Sequence, residues 1–119
     1  MIYLGGGVAN QLLATLHDSP ADLAIRDAAT GGAVVAAIGA AASCFGSWTR
    51  GPLPALGWLP GVVVETGFDP EDDTNLRRLM SIPDVTIGIG IRPKTALAIR
   101  QDGQSEIIGS GQIAVVRRG

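Results

Sequence analysis

The sequence predicts an α/β domain in which a parallel sheet with helices is followed by an antiparallel meander. Two patterns and the composition carry this. Apolar runs of strand length, Ala33-Val34-Val35-Ala36-Ala37-Ile38 and Val62-Val63-Val64, alternate with segments whose apolar residues recur at helical spacing. Thr86-Ile87-Gly88-Ile89-Gly90-Ile91 then alternates strictly, and more strand-like runs follow between turn signals. At 119 residues, with 46% hydrophobic and 17% charged residues, the chain reads as one domain over 1–119 that buries a real core.

The elements follow in order. Ile2-Tyr3-Leu4 is a short strand that meets Gly5-Gly6-Gly7, a turn of unusual backbone angles. Val8, Leu12, Leu13 and Leu16 lie on one face of a first helix, which Asp18-Ser19-Pro20 breaks. Pro20 opens a second helix with Ser19 as N-cap, and Gly31-Gly32 stops it. The buried strand 33–38 follows, then a short helix from Ala40 to about Phe45. Residues 46–60 read as an apolar loop carrying Trp48 and Trp58. Val62–Val64 is a second buried strand. The acids Asp69, Glu71, Asp72 and Asp73 suit the positive end of a helix whose apolar face is Leu76, Leu79 and Met80. Strands at 86–91, 95–99, 105–108 and 113–116 make the meander, with Asp102-Gly103 as one of its turns.

Charge and cysteine content narrow the function. Net charge is −2 and there is no basic tract, which argues against a nucleic-acid partner. No apolar run reaches the roughly 18 residues of a membrane-spanning helix. Met1-Ile2-Tyr3-Leu4 lacks the charged start of a signal peptide. The single cysteine, Cys44, excludes an internal disulfide and fits a reducing compartment. These readings point to a cytoplasmic protein. The low charge leaves apolar surface for association, so a homo-oligomer is expected. One histidine, His17, and one cysteine do not make a conventional zinc site, and no metal or cofactor is called.

The turn at Gly39 is the most informative feature. A buried strand turning sharply into an Ala-rich helix is where α/β hydrolases seat a nucleophile, and glycine offers no attacking atom.

With these elements placed, the chain resembles the cyanophycinase and peptidase E family of serine hydrolases. The resemblance rests on several segments. Tyr3-Leu4-Gly5-Gly6-Gly7 with Gln11-Leu12-Leu13 looks like the family's glycine-rich turn and helix, and Gly31–Ala36 like the strand to its nucleophile. Leu56-Gly57-Trp58-Leu59-Pro60-Gly61-Val62-Val63-Val64 looks like the strand into its histidine site. Ile87–Ile91, Thr95-Ala96-Leu97 and Ile108-Gly109-Ser110-Gly111 look like its closing strands. It implies a partial flavodoxin-like (class I glutamine-amidotransferase-like) parallel sheet. Two departures stand out. The family's elbow, Gly-Thr-Ser-Ala-Gly-Ala, here reads Ala37-Ile38-Gly39-Ala40-Ala41-Ala42, so Gly39 replaces the serine. Its Asp-Gln-His-Phe here reads Glu65-Thr66-Gly67-Phe68, so Gly67 replaces the histidine and Glu65 keeps the acid. A serine needs a base, and a carboxylate with neither partner cannot run the cycle, so activity by this mechanism is expected to be negligible. The match also begins at the glycine-rich turn directly after Met1. The expectation is a truncated domain whose uncovered sheet is met by another copy, or by a protein supplying the N-terminal half.

Other chemistry has bland counterparts. Cys44 and Ser43 lie about one helical turn past Gly39. Cys44 is either a displaced nucleophile or a small buried hydrophobe. Glu65 is a general base acting on water, a relic carboxylate or a strand-end residue. Gly5, Gly6 and Gly7 could cradle an anion or small ligand, or simply make the turn. His17 reads as a helix-end cation. Trp48 and Trp58 anchor an interface, plug the old groove or stack on a ligand. The resulting expectation is a catalytically degenerate domain acting by association. The alternatives are a weak hydrolase with non-standard residues and a small-ligand binder in the relic pocket.

Overall fold

The computed structural model describes residues 2–4, 9–16, 19–37, 39–99, 105–109 and 111–118. The expectations placed on Met1, Gly5, Gly6, Gly7 and His17 lie outside the described residues.

Strand β1 (Ile2–Leu4) precedes helix α1 (Ala9–Leu16) and helix α2 (Pro20–Thr30). Ser19 caps α2 as its sequence predicts: its Oγ accepts from the Asp22 N–H at 3.1 Å. Strand β2 (Val35–Ala37) pairs in parallel with β1, in the register Ile2↔Val35 to Leu4↔Ala37. Gly39 then turns the chain into helix α3 (Ala40–Ser43), which ends two residues short of the expected Phe45.

Residues 46–60 are not simply a loop. They hold β3 (Trp48–Thr49) and β4 (Leu53–Pro54), an antiparallel pair that extends the main sheet. Strand β5 (Val62–Thr66), helix α4 (Thr74–Met80) and strand β6 (Ile87–Ile91) form a core unit in which β5 and β6 are parallel. The acidic run precedes α4 rather than forming its first turn: Asp69 bridges to Asp72, and the helix starts at Thr74. The tail holds β7 (Thr95–Ile99), β8 (Ser105–Gly109) and β9 (Ile113–Arg117). β9 pairs antiparallel with β6, and β8 with β7.

The α/β class and the antiparallel tail are therefore present, with one difference in the sheet. The parallel strands fall into two sheets: β1-β2 stands apart from the five-stranded β4-β3-β5-β6-β9. No helix among the described residues is long and apolar enough to cross a membrane.

The core has two centres. Val63, Phe68, Leu76, Leu79 and Val85 are buried between α4 and one face of the five-stranded sheet. Leu13, Cys44, Ala55 and Leu56 are buried between α1, α3 and the 46–60 segment. Period-2 alternation puts Val63, Gly88, Gly90 and Ala114 on the α4 face. The two glycines make this face shallow. A Cβ on Gly90 would lie 2.5 Å from the Phe68 ring, and one on Gly88 would lie 2.7 Å from Met80 Sδ. Arg118 closes the unit by donating to the carbonyls of Met80, Ile82 and Pro83, a cation at the C-terminal end of α4.

A polar anchor holds the 46–60 segment on α2. Asp22 is buried and accepts from Arg26 Nε at 3.2 Å and from Trp58 Nε1 at 3.4 Å. The Arg26 guanidinium lies 5.1 Å from the Trp58 ring and donates to the Leu56 carbonyl at 2.6 Å.

Gly90→Val should destabilise the fold by about 1–3 kcal/mol, because the ring beneath it cannot retreat from a close-packed core. Urea unfolding of the two proteins measures this, and an unchanged midpoint contradicts the packing described.

Candidate functional site

In open α/β sheets, ligands and reacting groups gather beyond the carboxyl ends of the parallel strands. Two of the positions singled out in the sequence sit just past such ends: Gly39 after β2, and Gly67 after β5.

At Gly39 the backbone has φ +62°, and a Cβ placed there would meet nothing within 4 Å. Its carbonyl starts α3 by accepting from the Ala42 N–H at 3.0 Å. This is a strand-turn-helix elbow with a left-handed residue at its apex and open space where a side chain would project. Gly67 repeats the arrangement at φ +63°, also with nothing within 4 Å of a Cβ. Both turns have open space at the Cβ position, as do those at Gly32 and Gly57, and neither glycine carries a side chain.

Glu65 is held near the C-terminal end of β5. Its Oε1 accepts from Asn75 Nδ2 at 2.8 Å and from Arg50 Nη2 at 3.2 Å. The Glu65 side chain is 12% exposed while that of Arg50 is 74% exposed. The amide bond from α4 therefore does more to position the carboxylate than the solvent-screened ion pair. Together with Asp72, Thr74 and Arg78, these residues line a polar recess of about 260 Å³. A larger groove of about 430 Å³ runs beside α4, between Phe68, Leu76, Met80 and Val116, with the Asp73–Arg77 ion pair on its rim. Its lining is mostly apolar, and the polar recess around Glu65 is the better candidate for chemistry. Among the described residues, no group of three His, Cys, Asp or Glu side chains could hold a metal ion.

The remaining sequence candidates have structural roles. Cys44 is 1% exposed in the second core, and burial raises its thiol above the usual cysteine range. That disfavours the thiolate a nucleophile needs, so Cys44 packs as a small hydrophobe. The Ser43 hydroxyl accepts from Thr49 Oγ1 at 3.2 Å. Trp48 Nε1 donates to Asp84 at 3.1 Å, and Trp58 meets Phe45 edge-to-face at 4.8 Å. Both tryptophans bind their own chain. Sequence reasoning missed Asn75 and Arg50 as the residues that hold Glu65. An Asn in the first turn of α4 and an Arg in a loop carry no signal until the fold brings them together.

Comparison with known proteins bears on the fold. No protein-family model and no curated protein matches the chain. Among solved structures, it is similar to the crystal structure of a peptidase from an acI-B1 Actinobacterium, with a TM-score of 0.82 at 23% identity. The likeness covers 98% of this chain and 52% of that one, so this chain spans about half the length of that peptidase. It has a peptidase-like α/β fold over nearly all its residues.

Two predictions test the site. Gly39→Ala should cost about 1–2 kcal/mol through left-handed strain alone, since the added methyl meets no neighbour. Thermal unfolding reads it, and a cost far above that range would mean the elbow is crowded. Cys44 should react with a thiol reagent at neutral pH only as fast as the native state opens, and promptly in denaturant. Rapid native-state labelling would contradict its burial.

Proposed function

We propose that this chain is a catalytically silent domain of the cyanophycinase and peptidase E type that acts by associating with a second copy of itself. The observation that carries this reading is the pair of empty turns. Gly39 and Gly67 keep left-handed backbone and open space where a nucleophile and a base would project, yet glycine supplies neither. Glu65 lacks both partners and is engaged by Asn75 and Arg50. A triad stripped of nucleophile and base loses several orders of magnitude in rate, which leaves binding as the function selected. Exposed apolar side chains support association: Leu23, Val34, Ile107, Ile108, Val115 and Val116 are large hydrophobics open to solvent.

The recess around Glu65 favours a second reading. It brings two guanidinium groups, two carboxylates and an amide together, a set that suits a zwitterionic small molecule. A ligand of this kind would raise the melting temperature through binding to the native state alone.

The purified chain should hydrolyse neither aspartyl dipeptides nor simple esters above the buffer rate. Turnover that disappears in Glu65→Gln would overturn the first reading in favour of a weak hydrolase. A saturable rise in melting temperature with free amino acids or dipeptides, without turnover, would favour the second.

A further inference from the structure

The polar recess holds opposite charges that are not all paired with each other. Glu65 Oε1 takes both of the bonds that reach this carboxylate, from Asn75 Nδ2 at 2.8 Å and from Arg50 Nη2 at 3.2 Å. Oε2 has no partner among the described residues. It is open to solvent, because no buried side-chain polar atom among those residues lacks a hydrogen bond. Arg78 stands one helical turn past Thr74 and Asn75, so the three share one face of α4. Its guanidinium makes no ion pair among the described residues, although Asp72 and Glu65 line the same recess. One oxygen of Asp72 accepts from the Thr74 N–H at 3.4 Å.

Charge decides the class of occupant. Two guanidinium groups and two carboxylates leave the recess near neutral, so it favours neither an anion nor a cation alone. A carboxylate that offers one oxygen suits an ammonium, which is a point charge. A guanidinium fork needs both oxygens, and Oε1 already accepts twice. The Arg78 fork, with its donors free, matches a carboxylate through two parallel hydrogen bonds. A volume of about 260 Å³ keeps the occupant compact.

We propose that the recess takes a compact zwitterion by its two ends, a primary ammonium on Glu65 Oε2 and a carboxylate on Arg78. The inference rests on the small-ligand reading above and assigns the group that holds each end of that ligand. Asn75 and Arg50 hold the Glu65 carboxylate by its other oxygen, which leaves Oε2 to the ligand.

NMR titration of the isotope-labelled full chain with glycine, β-alanine and γ-aminobutyrate tests this. At least one of the three should bind saturably and shift the Asn75 side-chain amide resonance. Acetate and methylammonium, which each carry one end alone, should bind more weakly by about tenfold or more. Replacing the ammonium of the tightest binder by a guanidinium should weaken it similarly. Glu65→Gln and Arg78→Gln should each weaken binding by about tenfold. Arg77→Gln removes a neighbouring exposed charge that lies outside the recess and should leave binding unchanged. Arg78 is exposed, so its variant remains readable if Glu65→Gln disturbs the fold. Zwitterion binding that is indifferent to either recess variant, or equal for the guanidinium analogue, would overturn this inference and leave the small-ligand reading standing. Absence of binding by these three, and by free amino acids and dipeptides, would overturn both.

Discussion

The close approach of α4 and Phe68 to the glycine-lined face of β6 governs the rest of the structure. Gly88 and Gly90 remove the side chains that would hold the helix away, and Met80, Leu76 and Phe68 occupy the space. Val63 on β5 and Val85 before β6 complete a centre from which water is excluded. Dispersion contacts of this kind are individually small and collectively decisive, and they depend on separation to within a fraction of an ångström. Because α4 is seated here, Asn75 in its first turn reaches Glu65 at the end of β5. Because its C-terminal end is fixed, Arg118 can bind the Met80, Ile82 and Pro83 carbonyls and hold the end of β9. The carboxylate site and the seating of the end of β9 both follow from one packing contact.

Gly39 and Gly67 both follow strand ends with left-handed backbone. Left-handed backbone at Gly39 and Gly67 costs a non-glycine residue strain that an active enzyme offsets elsewhere and recovers as reactivity. With glycine at both positions the turns carry no such strain, and they hold their shape for the strands and helix they join. Glu65 accepts a hydrogen bond from Asn75 and makes a screened ion pair with Arg50, an arrangement that orients the carboxylate. A fold shared with a peptidase does not by itself carry that protein's chemistry to this chain.

Much of this was legible in the sequence, for local reasons. Ser19 before Pro20 marks the start of α2 because its hydroxyl and the fixed φ of proline act within one turn. The alternation of residues 87–91 reads as a strand because its period belongs to the backbone. The turn at Gly39 could be located from the strand before it and the alanines after it. Other features depend on contacts distant in sequence. The acidic run marks the start of α4 by its charge, with Asp73 at the N-cap position, but the bridge between Asp69 and Asp72 just before it has no such signal. The short strands β3 and β4 lie among prolines and glycines that read as loop, and they form because β5 offers an edge to Trp48. The separation of β1-β2 from the larger sheet has no local signature at all. Arg50 and Asn75 gain their role only when Glu65 is brought between them.

The picture that results is a domain with a peptidase-like α/β fold. Its interior is satisfied: the buried Asp22 has partners in Arg26 and Trp58, and among the described residues no buried side-chain polar atom lacks a hydrogen bond. Large apolar side chains stay open to solvent at Leu23, Val34, Ile107, Ile108, Val115 and Val116. The most direct measurement is sedimentation equilibrium of the purified full chain in dilute and in concentrated solution. The proposed association with a second copy predicts a mass that rises from one chain towards two as concentration increases. A single-chain mass at every concentration would contradict the account.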